Sequence, residues 1–191
     1  MMMIDLECKS GRIARLVDEL YQSRYIKQLE ITQEQYPNAY AYFECLRVKY
    51  PVALGNVCIM MVNNEKFGPC CKGSTILFPK SWIEELEKGN SEKLLQTEWV
   101  ILHEAGHVHY GHSLTCGLLQ SIPLGLLGKF MILYSRLKAE PQADTFACEH
   151  CDNPEAMQAV IDWFNKEGRN DWAHPSIKSR IAKIKQAMQQ E

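Results

Sequence analysis

The sequence predicts an α+β fold in one domain, residues 1–191: a small mixed β-sheet packed on the helix that carries His103-Glu104-Ala105-Gly106-His107, with further helices at both ends. Two observations predict it. Apolar residues recur at helical spacing up to residue 49, run continuously over a strand length at 57–62 with a second strand-like stretch at 74–78, and return to helical spacing from residue 81 on. At 191 residues, 46% hydrophobic and 23% charged, the chain can bury one substantial core, and no repeat or low-complexity linker divides it. Residues 1–50 are then N-terminal helices and 52–191 the core around HEAGH.

From Lys9 to Leu29, residues Ile13, Leu16, Val17, Leu20 and Tyr21 mark one helix, which Pro37 closes off. Asn38 to Lys49 forms a second, ending before Pro51. VCIMMV, Val57 to Val62, has the length and continuity of a buried strand, with Asn63-Asn64 as the turn after it. Ser74 to Phe78 (STILF) is another strand, closed by Pro79. Ser81-Trp82-Ile83-Glu84 is a capping-box pattern for a short helix that runs out at Gly89-Asn90. Ser91 caps the next helix, which has Leu94, Leu95, Val100 and Leu102 on its apolar side and ends near Gly111. Gly106 inside it costs about 1 kcal/mol relative to Ala, which points to a strand or a metal packed close by. Asp152-Asn153-Pro154-Glu155 starts a helix that runs to about Gly168. His174-Pro175-Ser176 opens the last one, with Ile177, Ile181, Ile184 and Met188 along one side.

A net charge of −2 without a basic cluster argues against nucleic acid as a partner. Asp5, Glu7 and Lys9 stand where a secretory signal needs apolar residues, so a cytoplasmic chain is expected. In that compartment the eight cysteines are expected to be free thiols. Cys70-Cys71 with Cys148 and Cys151 is the alternative, a second metal site, although the spacing lacks the regularity of zinc ribbons.

HExxH on a helix places two imidazoles one turn apart on one face, so His103 and His107 can reach one metal ion. Glu104 is placed to hold a water and take its proton. A third ligand is needed, and Ala139-Glu140-Pro141-Gln142-Ala143-Asp144 offers two carboxylates four residues apart. One can bind zinc; the other can accept the free ring N–H of a ligand histidine. Pro141 places Glu140 in the first turn of its helix, because a proline further in would kink it. His174 can reach the site and donate to the oxyanion formed when water attacks a carbonyl.

Leu114 to Tyr134 is apolar but broken by Gln120, Pro123 and Lys129. A span needs about 20 unbroken apolar residues, and a complete span would part HEAGH from Glu140. A soluble helical hairpin over the site is the expectation, and contact with a membrane surface stays open.

HEAGH with His112 five residues on, followed by EPQADTFA, DNPEAM and HPSIKSRI, resembles the HtpX and CAAX-prenyl-protease type family of zinc metallopeptidases, over about residues 52–185. STILFPKSWIEEL looks like that family's strand and helix before the metal helix. The resemblance implies a zincin-like domain of the gluzincin type with one zinc ion per chain. It implies His103, His107 and Glu140 as ligands, Glu104 as general base and Asp144 as the carboxylate behind a ligand histidine. His174 would stabilise the transition state, with Arg180 supporting it. Thr75, Ile76, Leu77 and Phe78 would pair main chain to main chain with an extended peptide or protein substrate. Many members have several membrane spans, none of which is convincing in this sequence, so the soluble, minimal members are the better comparison.

The expected function is a zinc metalloendopeptidase. Three alternatives stand beside it. A cytosolic antirepressor-type protease has a similar HExxH, but the HPSIKSRI tail speaks against it. A peptide deformylase would need Cys70 or Cys71 as a ligand. A latent or non-catalytic module would keep the fold for binding or regulation.

Overall fold

The computed structural model describes residues 28–63, 68–113, 125–167 and 175–189, with the side chains of 125–137 excepted. In chain order the elements are β1 (Gln28–Glu30), α1 (Pro37–Lys49), α2 (Pro51–Leu54), β2 (Cys58–Val62), β3 (Cys70–Lys72) and β4 (Thr75–Pro79). They are followed by α3 (Lys80–Glu87), α4 (Ser91–His109), α5 (Gly125–His150), α6 (Pro154–Glu167) and α7 (Ile177–Ala187). The architecture is mixed α and β around one core, with seven helices and a four-stranded mixed sheet among the described residues.

Helix α4 is the axis of the molecule. Residues 96 to 107 are buried without interruption, on every face, as only a helix enclosed by other elements can be. Trp99, Ile101 and Leu102 join Phe78 from the sheet and Ile161 from α6 in the core. Each polar residue on this helix must therefore find a partner inside the protein. Thr97 Oγ1 accepts from Trp82 Nε1 at 2.7 Å and donates to the Lys93 carbonyl at 2.7 Å. Glu98 accepts from Lys49 Nζ (2.7 Å), Tyr50 OH (2.6 Å) and Asn153 Nδ2 (2.6 Å), tying the end of α1 and the start of α6 to the axis.

The strand order is β1-β2-β4-β3, with β2 and β4 parallel and the two outer pairs antiparallel. Strand β4 therefore lies inside the sheet. Thr75 to Leu77 pair with Cys58 to Met60 on one side and with Cys70 to Lys72 on the other. A substrate strand cannot add to Thr75, Ile76 or Leu77, and Phe78 is fully buried. Among the described residues the edge on that side of the sheet is β3, which lies within the connection expected to join just two strands.

Several boundaries differ from expectation for local reasons. Gln28 and Leu29 belong to β1 rather than to the end of a helix; residues 9–27 of that helix lie outside the described residues. Pro37 opens α1 instead of closing the segment before it, as a residue with no N–H can at a first helical position. Helix α3 starts at Lys80 with Pro79 at its N-cap, so Ser81 is already inside it. Asn90, not Ser91, caps α4, its Oδ1 accepting from Lys93 N at 3.1 Å. Helix α5 runs from Gly125 through Pro141 to His150, so Glu140 sits deep in it and not in its first turn. The rest of the expected hairpin, 114–124, lies outside the described residues. Among those described, no helix is long and apolar enough to cross a membrane.

Candidate metal centre

His103 and His107 stand one turn apart on α4, ring centroids 4.8 Å from each other and Nε2 atoms 3.2 Å apart. Glu140 comes from α5. Its Oε2 lies 3.5 Å from His103 Nε2 and its Oε1 3.5 Å from His107 Nε2. The three side chains are buried, and they are the one grouping of three or more potential metal ligands among the described residues. A metal ion can be held here.

Gly106 explains how α5 comes so close. A Cβ on it would stand 2.9 Å from Phe146 Cβ and 3.1 Å from Ala143 Cα. The close neighbour is the helix α5, where the sequence led us to expect a strand or a metal. A glycine here lets α5 deliver Glu140 and Asp144 to the histidines.

Behind His103, Asp144 Oδ1 lies 3.0 Å from Nδ1. Arg180 from α7 grips the same carboxylate, Nε to Oδ2 at 3.0 Å and Nη2 to Oδ1 at 2.7 Å. Trp99 stacks on the His103 ring at 5.4 Å and 18°, and the Arg180 guanidinium lies 4.7 Å from the centre of Phe164. Asp144 and Arg180 thus act on the site through His103.

The electrostatics favour one positive charge at the centre, on His103. Burial disfavours the His103 cation, but Asp144 and Glu140 outweigh it and lift the imidazole to about 9. Burial and the neighbouring His103 charge push His107 down to about 3. Asp144 is held below its ordinary range although burial opposes this, because His103 and Arg180 face it. Burial raises Glu104 to about 7, with Glu140 adding to the effect while His103, Arg180 and the Cys71 N–H oppose it. That N–H places the Glu104 carboxylate beside β3.

The structure brings His103, Glu104, His107, Glu140, Asp144 and Arg180 together. Thr75 to Phe78 are interior sheet residues, and His174 lies outside the described residues. Six described cysteines are free thiols, and neither Cys70 and Cys71 nor Cys148 and Cys151 converge with two further ligands. The third donor is the Glu140 carboxylate, not the cysteine a deformylase-type site needs. The sequence offered no signal for Trp99 or Gln142. His112 was visible only as part of a motif; its place in the site depends on the turn at Gly111.

No family model, curated protein or solved structure matches this chain. What bears on function is the geometry of the site itself.

Proposed function

We propose that the chain is a zinc-dependent metalloendopeptidase holding one zinc ion on His103, His107 and Glu140, with Glu104 as general base. The observation that carries this reading is the convergence of three donors: the His103 and His107 Nε2 atoms are 3.2 Å apart, and each has one oxygen of the Glu140 carboxylate 3.5 Å away. Zinc bonds of about 2.0–2.1 Å in a tetrahedron put neighbouring ligand atoms about 3.3 Å apart. Two imidazoles and one carboxylate suit zinc better than magnesium or calcium, and three protein ligands are the pattern of a catalytic rather than a structural site. A zinc ion bound there supplies Lewis acidity and lowers the pKa of its water to about 7.

The chain's own groups do the proton work. Glu104, one residue from the ligand His103, can take a proton from the attacking water and release it again. The new C–O bond forms at the scissile carbonyl, the C–N bond breaks, and Glu104 passes the proton to the departing amine. Asp144 and Arg180 hold His103 in place meanwhile. On the family resemblance, His174 donates to the oxyanion. The edge strand β3, beside Glu104, is where an extended peptide would add main chain to main chain.

Metal analysis of the purified chain, paired with cleavage of an unfolded protein, tests this. One zinc per chain, with cleavage lost to a chelator and regained on adding zinc, is the expected result. A chain that takes up no zinc would refute it.

A further inference from the structure

Helix α4 ends in a turn closed by Tyr110 N to the Gly106 carbonyl and Gly111 N to the Val108 carbonyl. Gly111 has φ +67°, a left-handed conformation that glycine adopts without a Cβ penalty. The turn sends the next side chain back toward the helix. His112 Nδ1 then lies 3.0 Å from His107 Nδ1, the rings 5.1 Å apart and steeply inclined. On its far side, His112 Nε2 lies 3.0 Å from Gln142 Oε1 on α5.

We infer that His112 is a positioning residue for the second metal ligand, accepting the Nδ1–H of His107 and itself anchored on Gln142. The inference rests on the proposed zinc site and places each proton in the chain of contacts. His107 turns Nε2 toward His103 and Glu140, so Nε2 is the metal-facing atom. A neutral imidazole that ligates through Nε2 carries its hydrogen on Nδ1. That N–H meets His112 Nδ1, which must accept it. The His112 hydrogen is then on Nε2, where it donates to the Gln142 oxygen. Any other arrangement sets two lone pairs or two N–H groups against each other.

The two ligand histidines are thus supported by different chemistry. His103 has a carboxylate, Asp144, backed by Arg180; His107 has a neutral imidazole backed by an amide. Both supports end on α5, at positions 142 and 144, beside the ligand at 140. The helix that supplies the third ligand therefore also orients the other two. Such supporting contacts fix a ligand's tautomer and ring plane.

Zinc affinity by chelator competition, with the visible spectrum of the cobalt-substituted chain, tests this in H112F and H112N. Phenylalanine fills the space without an acceptor. Asparagine Oδ1 stands as many bonds from Cα as imidazole Nδ1 and can accept the same N–H. Zinc binding about 10–100-fold weaker in H112F, largely restored in H112N, with a cobalt spectrum altered only in H112F, is the expected result. Equal affinities in wild type and both variants, or equal losses in both, would overturn the inference and leave the zinc site standing. A wild-type chain without zinc would overturn both. Should H112F fail to fold, Gln142→Leu, at an exposed position, reads the chain from its other end. Several-fold weaker zinc binding supports the inference, and an unchanged affinity overturns it.

Discussion

Nδ1 of His103 lies 3.0 Å from Oδ1 of Asp144, on the opposite side of the ring from Glu140. A carboxylate there keeps the ring in one tautomer and makes its metal-facing nitrogen more basic. Asp144→Asn keeps the shape and removes the charge. Zinc affinity, read by chelator competition, should fall about 10–100-fold. An unchanged affinity would show that Asp144 serves the fold alone.

Arg180 is the counter-charge for that carboxylate, which is 1% exposed. Arg180→Met leaves Asp144 buried with only His103, among the described residues, as an ionisable partner. Removing one partner of a buried pair costs about 3–5 kcal/mol, and the remaining imidazole puts the expected loss near the lower end. Urea unfolding of the zinc-free chains measures it. A loss within experimental error would mean that water or another group already serves Asp144.

Gly106 gives a prediction opposite to helix propensity. Alanine would favour the helix by about 1 kcal/mol, but its Cβ meets the backbone of Ala143 at 3.1 Å, and overpacking costs about 1–3 kcal/mol. Backbone cannot rotate away, so α5 must shift and Glu140 with it. Gly106→Ala should lower both the melting temperature and the zinc content; a rise in either contradicts the packing described.

Acid stability has an identifiable contributor away from the metal centre. Hydrogen bonds from Lys49 and Tyr50 hold the Asp152 carboxyl below its ordinary value of 3.8. Its folded form therefore keeps the charge to lower pH than its unfolded form. The stabilisation is complete above the unfolded value and is lost as pH falls through the folded one. The side chain is 66% exposed, which limits the effect to less than about 1 kcal/mol. Asp152→Asn should be less stable than wild type in urea at pH 7, with the gap closing near pH 3. A gap of the same size at both would assign the effect to packing.

The site was more legible in the sequence than the sheet. His103, His107, Glu140 and Asp144 could be paired because spacings of four within a helix fix geometry locally. Strand β3 could not be read, since Cys70-Cys71-Lys72 is too short to show alternation and its pairing depends on contacts made elsewhere in the sheet. That omission left β4 looking like an edge, although Ile76-Leu77-Phe78, apolar throughout, has the composition of an interior strand. Ser91 and Asn90 are equally good caps, and only packing chose between them. His112 needed the left-handed turn at Gly111, whose effect on direction has no counterpart in spacing rules.

Peptide cleavage by Glu104→Gln protein carrying its full zinc complement is the most direct measurement of the central claim. The amide matches the carboxylate in shape but cannot accept the proton. The variant should retain one zinc per chain and lose at least about 100-fold in turnover of an unfolded protein substrate. Turnover equal to wild type at equal zinc content would contradict Glu104 as the base.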